Sequence, residues 1–106
     1  MSEPGARRWL RVRVCERERE LPAAALRAVL PSPRVTAVPG STPPLAGLVV
    51  WRGAVVELLG DVGRSPAAAV VLSEGDRVAA LAVDAVEGFV DEAIDPVDVG
   101  ALFVGA

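Results

Sequence analysis

Acidic side chains in the second half of the chain come nearest to a catalytic or metal-binding pattern. Asp84 and Glu87 stand three residues apart, and four more acids lie between residues 91 and 98. Two carboxylates are too few for a hard-cation site. The later group lacks the glycine-bearing pattern of a calcium loop. We therefore interpret both groups as solvated acidic surface.

The residue types that the chain lacks exclude most other kinds of catalysis. The chain has no histidine and no lysine, so the commonest general base and the Schiff-base amine are absent. Ser65 and Ser73 lie in predicted loops without a base to activate them. Cys15 is the only cysteine, which excludes an intramolecular disulfide or a thiolate cluster, and we interpret it as a small buried strand residue. The sequence predicts a protein that is not an enzyme and binds no cofactor or metal.

Charge divides the chain into two unlike halves. Residues 1–53 carry nine arginines against four glutamates, a net +5, and residues 54–106 carry two arginines against ten acids, a net −8, which together give −3. This asymmetry favours docking on charged protein surfaces. The negative total and the lack of a basic, aromatic-bearing stripe argue against nucleic acid as a partner. Because no long apolar run and no secretory signal are visible, we expect no membrane insertion and a cytoplasmic location.

The most hydrophobic stretch, residues 44–59, predicts a β-hairpin. Two apolar runs, residues 45–51 and 54–59, flank the pair Arg52-Gly53. Both runs are apolar at consecutive positions, which is typical of strands buried on both faces. Arg52 at the tip is either solvated or directed at a partner.

Short strands are predicted along the rest of the chain. Residues 16–20 form either a solvated turn or a continuation of the first strand, since opposite charges alternate there. An alanine run after Pro22 predicts a short helix near 22–30. The tail, residues 97–106, is either a last strand or a frayed end. The remaining strands are predicted over residues 9–15, 35–38, 68–72, 77–84 and 86–90. Turns about every ten residues predict an all-β barrel or sandwich, a single domain over residues 1–106 with residues 1–7 disordered.

Four segments in order resemble the CheW family of bacterial chemotaxis coupling proteins, and the resemblance spans residues 8–95. They read L-P-A-A-A-L-R-A-V-L-P, V-T-A-V-P-G, G-L-V-V-W-R-G-A-V-V-E-L-L and R-V-A-A-L-A-V-D-A-V-E-G-F-V. The resemblance implies two interleaved five-stranded barrels of the SH3 type. It also implies a non-enzymatic adaptor, in chemotaxis or gliding motility, between chemoreceptor cytoplasmic tips and the regulatory domain of a CheA-type histidine kinase.

The resemblance further implies which residues bind partners. Leu26 and Val29 match apolar positions of the family's receptor groove, and Val86 lies in the Val-Asp-x-Val segment that faces the same groove. Arg52 and Gly53 match the family's Arg-Gly hairpin tip, whose arginine takes part in signalling contacts. The predicted protein-binding residues are Leu26, Val29, Arg52, Gly53, Val86 and Phe89.

This sequence also departs from the family pattern. Ala28 stands where a glutamate is usual, and Glu57 stands where a proline is usual. The chain also stops where the family continues with a final strand pair and a helix. We therefore expect an incomplete terminal barrel, a weakened or lost kinase contact, and self-association through an open sheet edge. The alternative is a stand-alone SH3-like interaction module for another partner, which the neighbouring genes would distinguish.

Overall fold

The computed structural model describes residues 8–60 and 66–104, without the side chain of Val104. The disorder predicted for residues 1–7 concerns residues outside this range. Within it the chain forms a short 3-10 turn, eight strands and one α-helix. The strands are β1 (Trp9–Val14), β2 (Arg17–Pro22), β3 (Leu26–Pro31), β4 (Leu45–Trp51), β5 (Ala54–Leu59), β6 (Ala68–Glu74), β7 (Arg77–Val83) and β8 (Ala85–Val90), and the helix is α1 (Val99–Val104).

The strands form two sheets, which confirms the predicted all-β fold. One sheet has the order β2-β1-β8 and the other the order β3-β6-β7-β5-β4. Neighbouring strands are antiparallel except β5 and β7, which pair in parallel. Beyond β3 the chain returns to the outer edge of β4, where Thr36 and Leu48 exchange two backbone hydrogen bonds of 2.8 and 2.9 Å. This bridge links the two margins of the five-stranded sheet.

Two hydrophobic cores lie on opposite faces of the five-stranded sheet. Side chains alternate along β6: Val70 and Leu72 enter the first core, whereas Ala69 and Val71 enter the second. The first core also contains residues of β1, β2 and α1, so it joins the two sheets. Because both faces of β6 are covered, its sequence is apolar at consecutive positions.

The central hairpin is confirmed, but the prediction that both its faces are buried is wrong. Val49, Val56 and Leu58 lie in the second core. Val50 and Val55 point the other way, stand directly opposite each other, and are 65% and 67% exposed. Near the turn, the apolar run therefore has one buried face and one face in solvent, whereas Leu59 at the end of β5 is buried in the first core.

The predicted helix near residues 22–30 is wrong apart from one turn. Ala23–Ala25 form the 3-10 turn, and β3 follows at once, paired with β6, whose residues Ala68 to Leu72 are all buried. Leu26 packs against the first core, and Ala28 and Leu30 against the second. Sheet pairing that buries apolar side chains on both faces outweighs the helical propensity of the alanine and leucine residues.

The structure also corrects the expectation for Cys15. Cys15, predicted to be buried, is exposed with Glu16 in a tight turn, and both residues have positive φ. Its backbone N–H donates to the Asp84 carboxylate at 2.9 Å.

Residues 35–38 form only the bridge through Thr36 rather than a strand. The tight turn at Cys15 and Glu16 separates β1 from β2, and β2 begins at Arg17 and pairs antiparallel with β1. Residues 16–20 are therefore neither a turn throughout nor a continuation of the first strand.

The C-terminal segment covers part of the outer edge of β2. The Glu20 N–H donates to the Asp95 carbonyl, and the Val97 N–H donates to the Glu20 carbonyl. Helix α1 then buries Val99 and Phe103 in the first core, so the described part of the tail, residues 97–104, is neither a strand nor a frayed end. Since backbone groups of β2 are paired there, this edge offers less of a template for self-association than an open strand. The described helix has six residues, and no described helix could cross a membrane.

Candidate protein-binding site

A bulge in β8 places Val86 and Phe89 on the same face of the three-stranded sheet. Val86 lies opposite Val12, and Phe89 lies opposite Leu10, so β8 has one extra residue between these two pairs. In a regular strand, residues three apart point to opposite faces. The extra residue restores a common face. Because directly opposite residues share a face, Val86 and Phe89 are on the side of the buried Leu10 and Val12.

A second bulge, in β3, likewise places two residues that are three apart, Leu26 and Val29, on the same face of their sheet. Leu26 lies opposite Leu72 and Val29 opposite Val70, with Arg27 as the additional residue. Leu72 and Val70 both belong to the first core. Thus Leu26 and Val29 also face the first core, from the other sheet.

The four apolar residues predicted for the site therefore face one core from two sheets. β3 and β8 are each the outermost strand of their sheet, so these residues stand at its margins. Leu26 is partly buried against the core, whereas Val29, Val86 and Phe89 remain exposed. The Arg8 guanidinium lies 4.9 Å from the centre of the Phe89 ring. Exposed apolar side chains beside a core are suited to binding an apolar partner surface.

The β8 bulge depends on Gly88. Its φ is +121°, a conformation that residues with a Cβ rarely adopt, although no atom lies within 4 Å of an added Cβ. We expect Gly88→Ala to lower the free energy of unfolding by about 1–3 kcal/mol through backbone strain. Urea denaturation measures this change. Gly75→Asn, at a φ of +60° that asparagine tolerates, is the control and should be nearly neutral. Equal stability of Gly88→Ala and the parent chain would show that the bulge does not need glycine.

Arg52 and Gly53 form the two-residue turn of the central hairpin. Their φ values are +54° and +77°, the conformation of a type I′ turn, and Trp51 pairs with Ala54 across it. The Arg52 guanidinium lies 5.1 Å from the centre of the Trp51 ring. Trp51 packs against the second core, so Arg52 belongs to that part of the molecule. The four apolar residues face the first core, whereas Arg52 and Gly53 lie on a separate element beside the second core.

The sequence profile of the CheW-like domain family matches residues 8–102. The chain belongs to this family. Its fold is similar to that of the scaffolding protein TtCheW from Thermoanaerobacter tengcongensis, with a TM-score of 0.68 and 18% identity. The superposition covers 85% of this chain and 66% of the other, so the chain spans just under two thirds of that protein. No curated protein matches this sequence significantly.

The outer face of the three-stranded sheet in this CheW-like domain carries a row of charged side chains. Arg13 on β1 binds the Glu87 carboxylate at 2.7 Å, and Glu18 on β2 lies opposite Arg13. A hydrogen bond with the Glu87 carboxyl, added to the repulsion between the two charges, raises the pKa of Glu18 above its ordinary value. Val86 and Phe89 therefore lie on one face of this sheet, and the charged row lies on the other.

Sequence reasoning missed the most constrained polar group of the CheW-like domain, the carboxylate of Glu20. Its side chain is 1% exposed. It accepts hydrogen bonds from Arg11 Nε at 2.8 Å and from the backbone N–H groups of Ile94 and Asp95 at 2.9 and 2.7 Å. Burial raises the pKa of this carboxyl, but the bonds from Asp95, Arg11 and Ile94 together outweigh burial and hold the pKa below its ordinary value. Alternating Glu and Arg residues in the sequence do not reveal which glutamate is buried.

Among the described residues, no group of three or more His, Cys, Asp or Glu side chains has a geometry that could hold a metal ion. Asp84 and Glu87, the pair first considered for a cation site, are used in contacts within the fold: Asp84 accepts a hydrogen bond from the Cys15 N–H, and Glu87 accepts one from Arg13.

Proposed function

We propose that this CheW-like protein is a non-enzymatic adaptor in a bacterial chemosensory pathway and that it binds the cytoplasmic tip of a chemoreceptor. The observation that carries the proposal is that two bulges turn Leu26, Val29, Val86 and Phe89 towards one core from two sheets. Membership of the CheW-like family supports the assignment. Because the proposed partner is the cytoplasmic tip of a receptor, the proposal places this protein in the cytoplasm.

The receptor tip is expected to dock as a helical hairpin with its apolar stripe on these four residues. An amphipathic helix is recognised by apolar anchors that fit a groove, with charges at the rim. Phe89 is the largest exposed member of the set and the one that loses most water-accessible apolar area on docking. Arg8, over the Phe89 ring, adds a rim charge suited to an acidic residue of the partner.

Val86→Glu tests this site. A charge at the centre of an apolar contact is expected to weaken binding to a purified receptor tip by about 30-fold or more. Val78→Glu is a matched control, because Val78 lies on β7 and is 39% exposed, against 38% for Val86. Isothermal titration measures binding, and circular dichroism measures folding. If both variants fold and bind the receptor tip as the parent chain does, the receptor site is not on this surface.

A CheA-type kinase regulatory domain is the second partner of the proposed adaptor, and we propose that its contact is weaker. Glu57, where the family has proline, is exposed on β5 and lies opposite Leu48 on the outer face of the hairpin. A charge on that face disfavours an apolar contact. Titration with the kinase domain should give a weaker affinity than titration with the receptor tip. Binding to neither protein would instead favour an interaction module for another partner.

A further inference from the structure

Arg8 connects the two walls of the proposed receptor site. It immediately precedes β1, and its backbone carbonyl accepts a hydrogen bond of 3.0 Å from the N–H of Ala23. Ala23 is the first residue of the turn that leads into β3 and Leu26. The Arg8 guanidinium lies 4.9 Å from the centre of the Phe89 ring on β8. One residue thus joins the wall that carries Leu26 to the wall that carries Phe89.

The side chain of Arg8 lies on the apolar face of the three-stranded sheet. Arg8 stands two residues before Leu10, which is buried in the first core, and residues two apart in an extended chain share a face. The ring contact agrees with this placement, because Phe89 lies directly opposite Leu10. Arg11 and Arg13, in contrast, lie on the charged face, where each pairs with a glutamate.

The charge of Arg8 is not neutralised within the described part of the chain. The arginines of β1 and β2 all form ion pairs, whereas Arg8 has none with any carboxylate that the structure describes. Asp91 follows the Trp9–Val90 pair in register, but its carboxylate does not come within 4.0 Å of the Arg8 guanidinium. Arg8 is exposed, and a guanidinium stacked on a ring keeps its N–H donors available around the edge of its plane.

The other charges near the site lie away from the Phe89 ring. Arg27, the extra residue of the β3 bulge, is exposed on the opposite wall and lines a cleft together with Glu74. Asp91 follows the end of β8 and is exposed, and Glu87 is paired on the charged face. The charge that stands over the largest exposed apolar side chain of the site is therefore the positive charge of Arg8.

We propose that Arg8 is a specificity-determining residue of the receptor site and selects a receptor tip with a carboxylate beside the apolar side chain that covers Phe89. The ring holds the guanidinium in place before docking, and the hydrogen bond from Ala23 fixes the backbone behind it. Little conformational entropy is therefore lost when the ion pair with the receptor forms. A tip with a basic residue at that position is rejected, because docking would bring like charges together. This inference rests on the proposed receptor-binding function and adds to it the charge of the partner.

A double-mutant cycle with a purified receptor tip tests the proposal. Arg8→Gln removes the charge but keeps the backbone carbonyl that binds Ala23, and circular dichroism checks that it folds. It should weaken binding by about 10-fold in isothermal titration. It should also lower the dependence of the Kd on NaCl between about 0.05 M and about 0.5 M. Each acidic residue that borders the apolar stripe of the tip is then changed in turn to its amide. One of these changes should weaken binding of the parent chain by about 10-fold and leave the affinity of Arg8→Gln unchanged.

Two further variants separate the ion pair from other effects of the substitution. Arg34→Gln is the matched control, because it removes one exposed positive charge from a groove beside the central hairpin and should bind the tip as the parent chain does. Arg8→Lys keeps the charge without the planar guanidinium and should recover part of the affinity.

The results distinguish this inference from the receptor site itself. If Arg8→Gln binds as the parent chain does, or if its loss of affinity is the same for every tip variant, Arg8 does not select the receptor. Loss of binding in Val86→Glu would still support the receptor site in that case. A parent chain that binds no receptor tip overturns both proposals.

Discussion

Replacing Glu20 by alanine is expected to lower the free energy of unfolding by about 3–5 kcal/mol. The substitution removes the carboxylate that pairs with Arg11 and accepts both loop N–H groups, of Ile94 and Asp95. Donors that lose their partner inside the protein are left without the water that would satisfy them in the unfolded chain. The loss therefore combines an unpaired guanidinium with two unsatisfied backbone groups.

Urea denaturation followed by circular dichroism measures this loss. Glu18→Ala is the matched control, because Glu18 lies two residues earlier on β2 and is exposed. Surface substitutions of that kind change stability by about 0.5 kcal/mol or less. If the two variants are destabilised equally, the buried carboxylate does not have the role assigned to it.

The dependence of stability on pH follows from the same carboxylate. Because the pKa of Glu20 in the folded chain lies below its ordinary value of 4.5, its contribution is complete above pH 4.5 and is lost as the pH falls through the folded pKa. The pH dependence of stability that Glu18 contributes has the opposite sign. Because its pKa is raised in the folded chain, its contribution to stability is present below the ordinary pKa and is lost as the pH rises through the folded pKa. Glu20→Gln should therefore flatten the loss of stability in acid.

The parts of the fold that the sequence predicts well are those determined by neighbouring residues. The central hairpin is one example, since Arg52-Gly53 supplies the two positive φ values that a two-residue turn requires. Strand β3 is the opposite case. Its residues favour a helix locally, and only pairing with β6, some forty residues later, makes them a strand.

The arrangement of the candidate site also depends on features that the sequence alone does not reveal. A spacing of three residues places Val86 and Phe89 on opposite faces of a regular strand, and only the bulge at Gly88 unites them. Glycine in a strand hints at a bulge but does not give its register. The burial of Glu20 is less predictable still, because it results from a loop that returns from residues 94–97.

Gly47→Ala is the second substitution expected to have a large effect, about 3–5 kcal/mol of unfolding free energy. A Cβ at this position would lie 2.6 Å from Cγ1 of Val35 and 2.8 Å from the Thr36 carbonyl oxygen. Crowding of this kind costs about 1–3 kcal/mol. The Thr36 backbone can move away only by breaking its two hydrogen bonds with Leu48, each worth about 1 kcal/mol.

Amide hydrogen exchange shows where Gly47→Ala destabilises the chain. The amides of Thr36 and Leu48 donate to each other's carbonyls in the parent chain and should exchange much faster in Gly47→Ala. Gly53→Asn is the control on the same hairpin, because nothing lies within 4 Å of an added Cβ there and asparagine tolerates a φ of +77°. Unchanged amide exchange in a folded Gly47→Ala variant would mean that the bridge does not depend on the missing side chain.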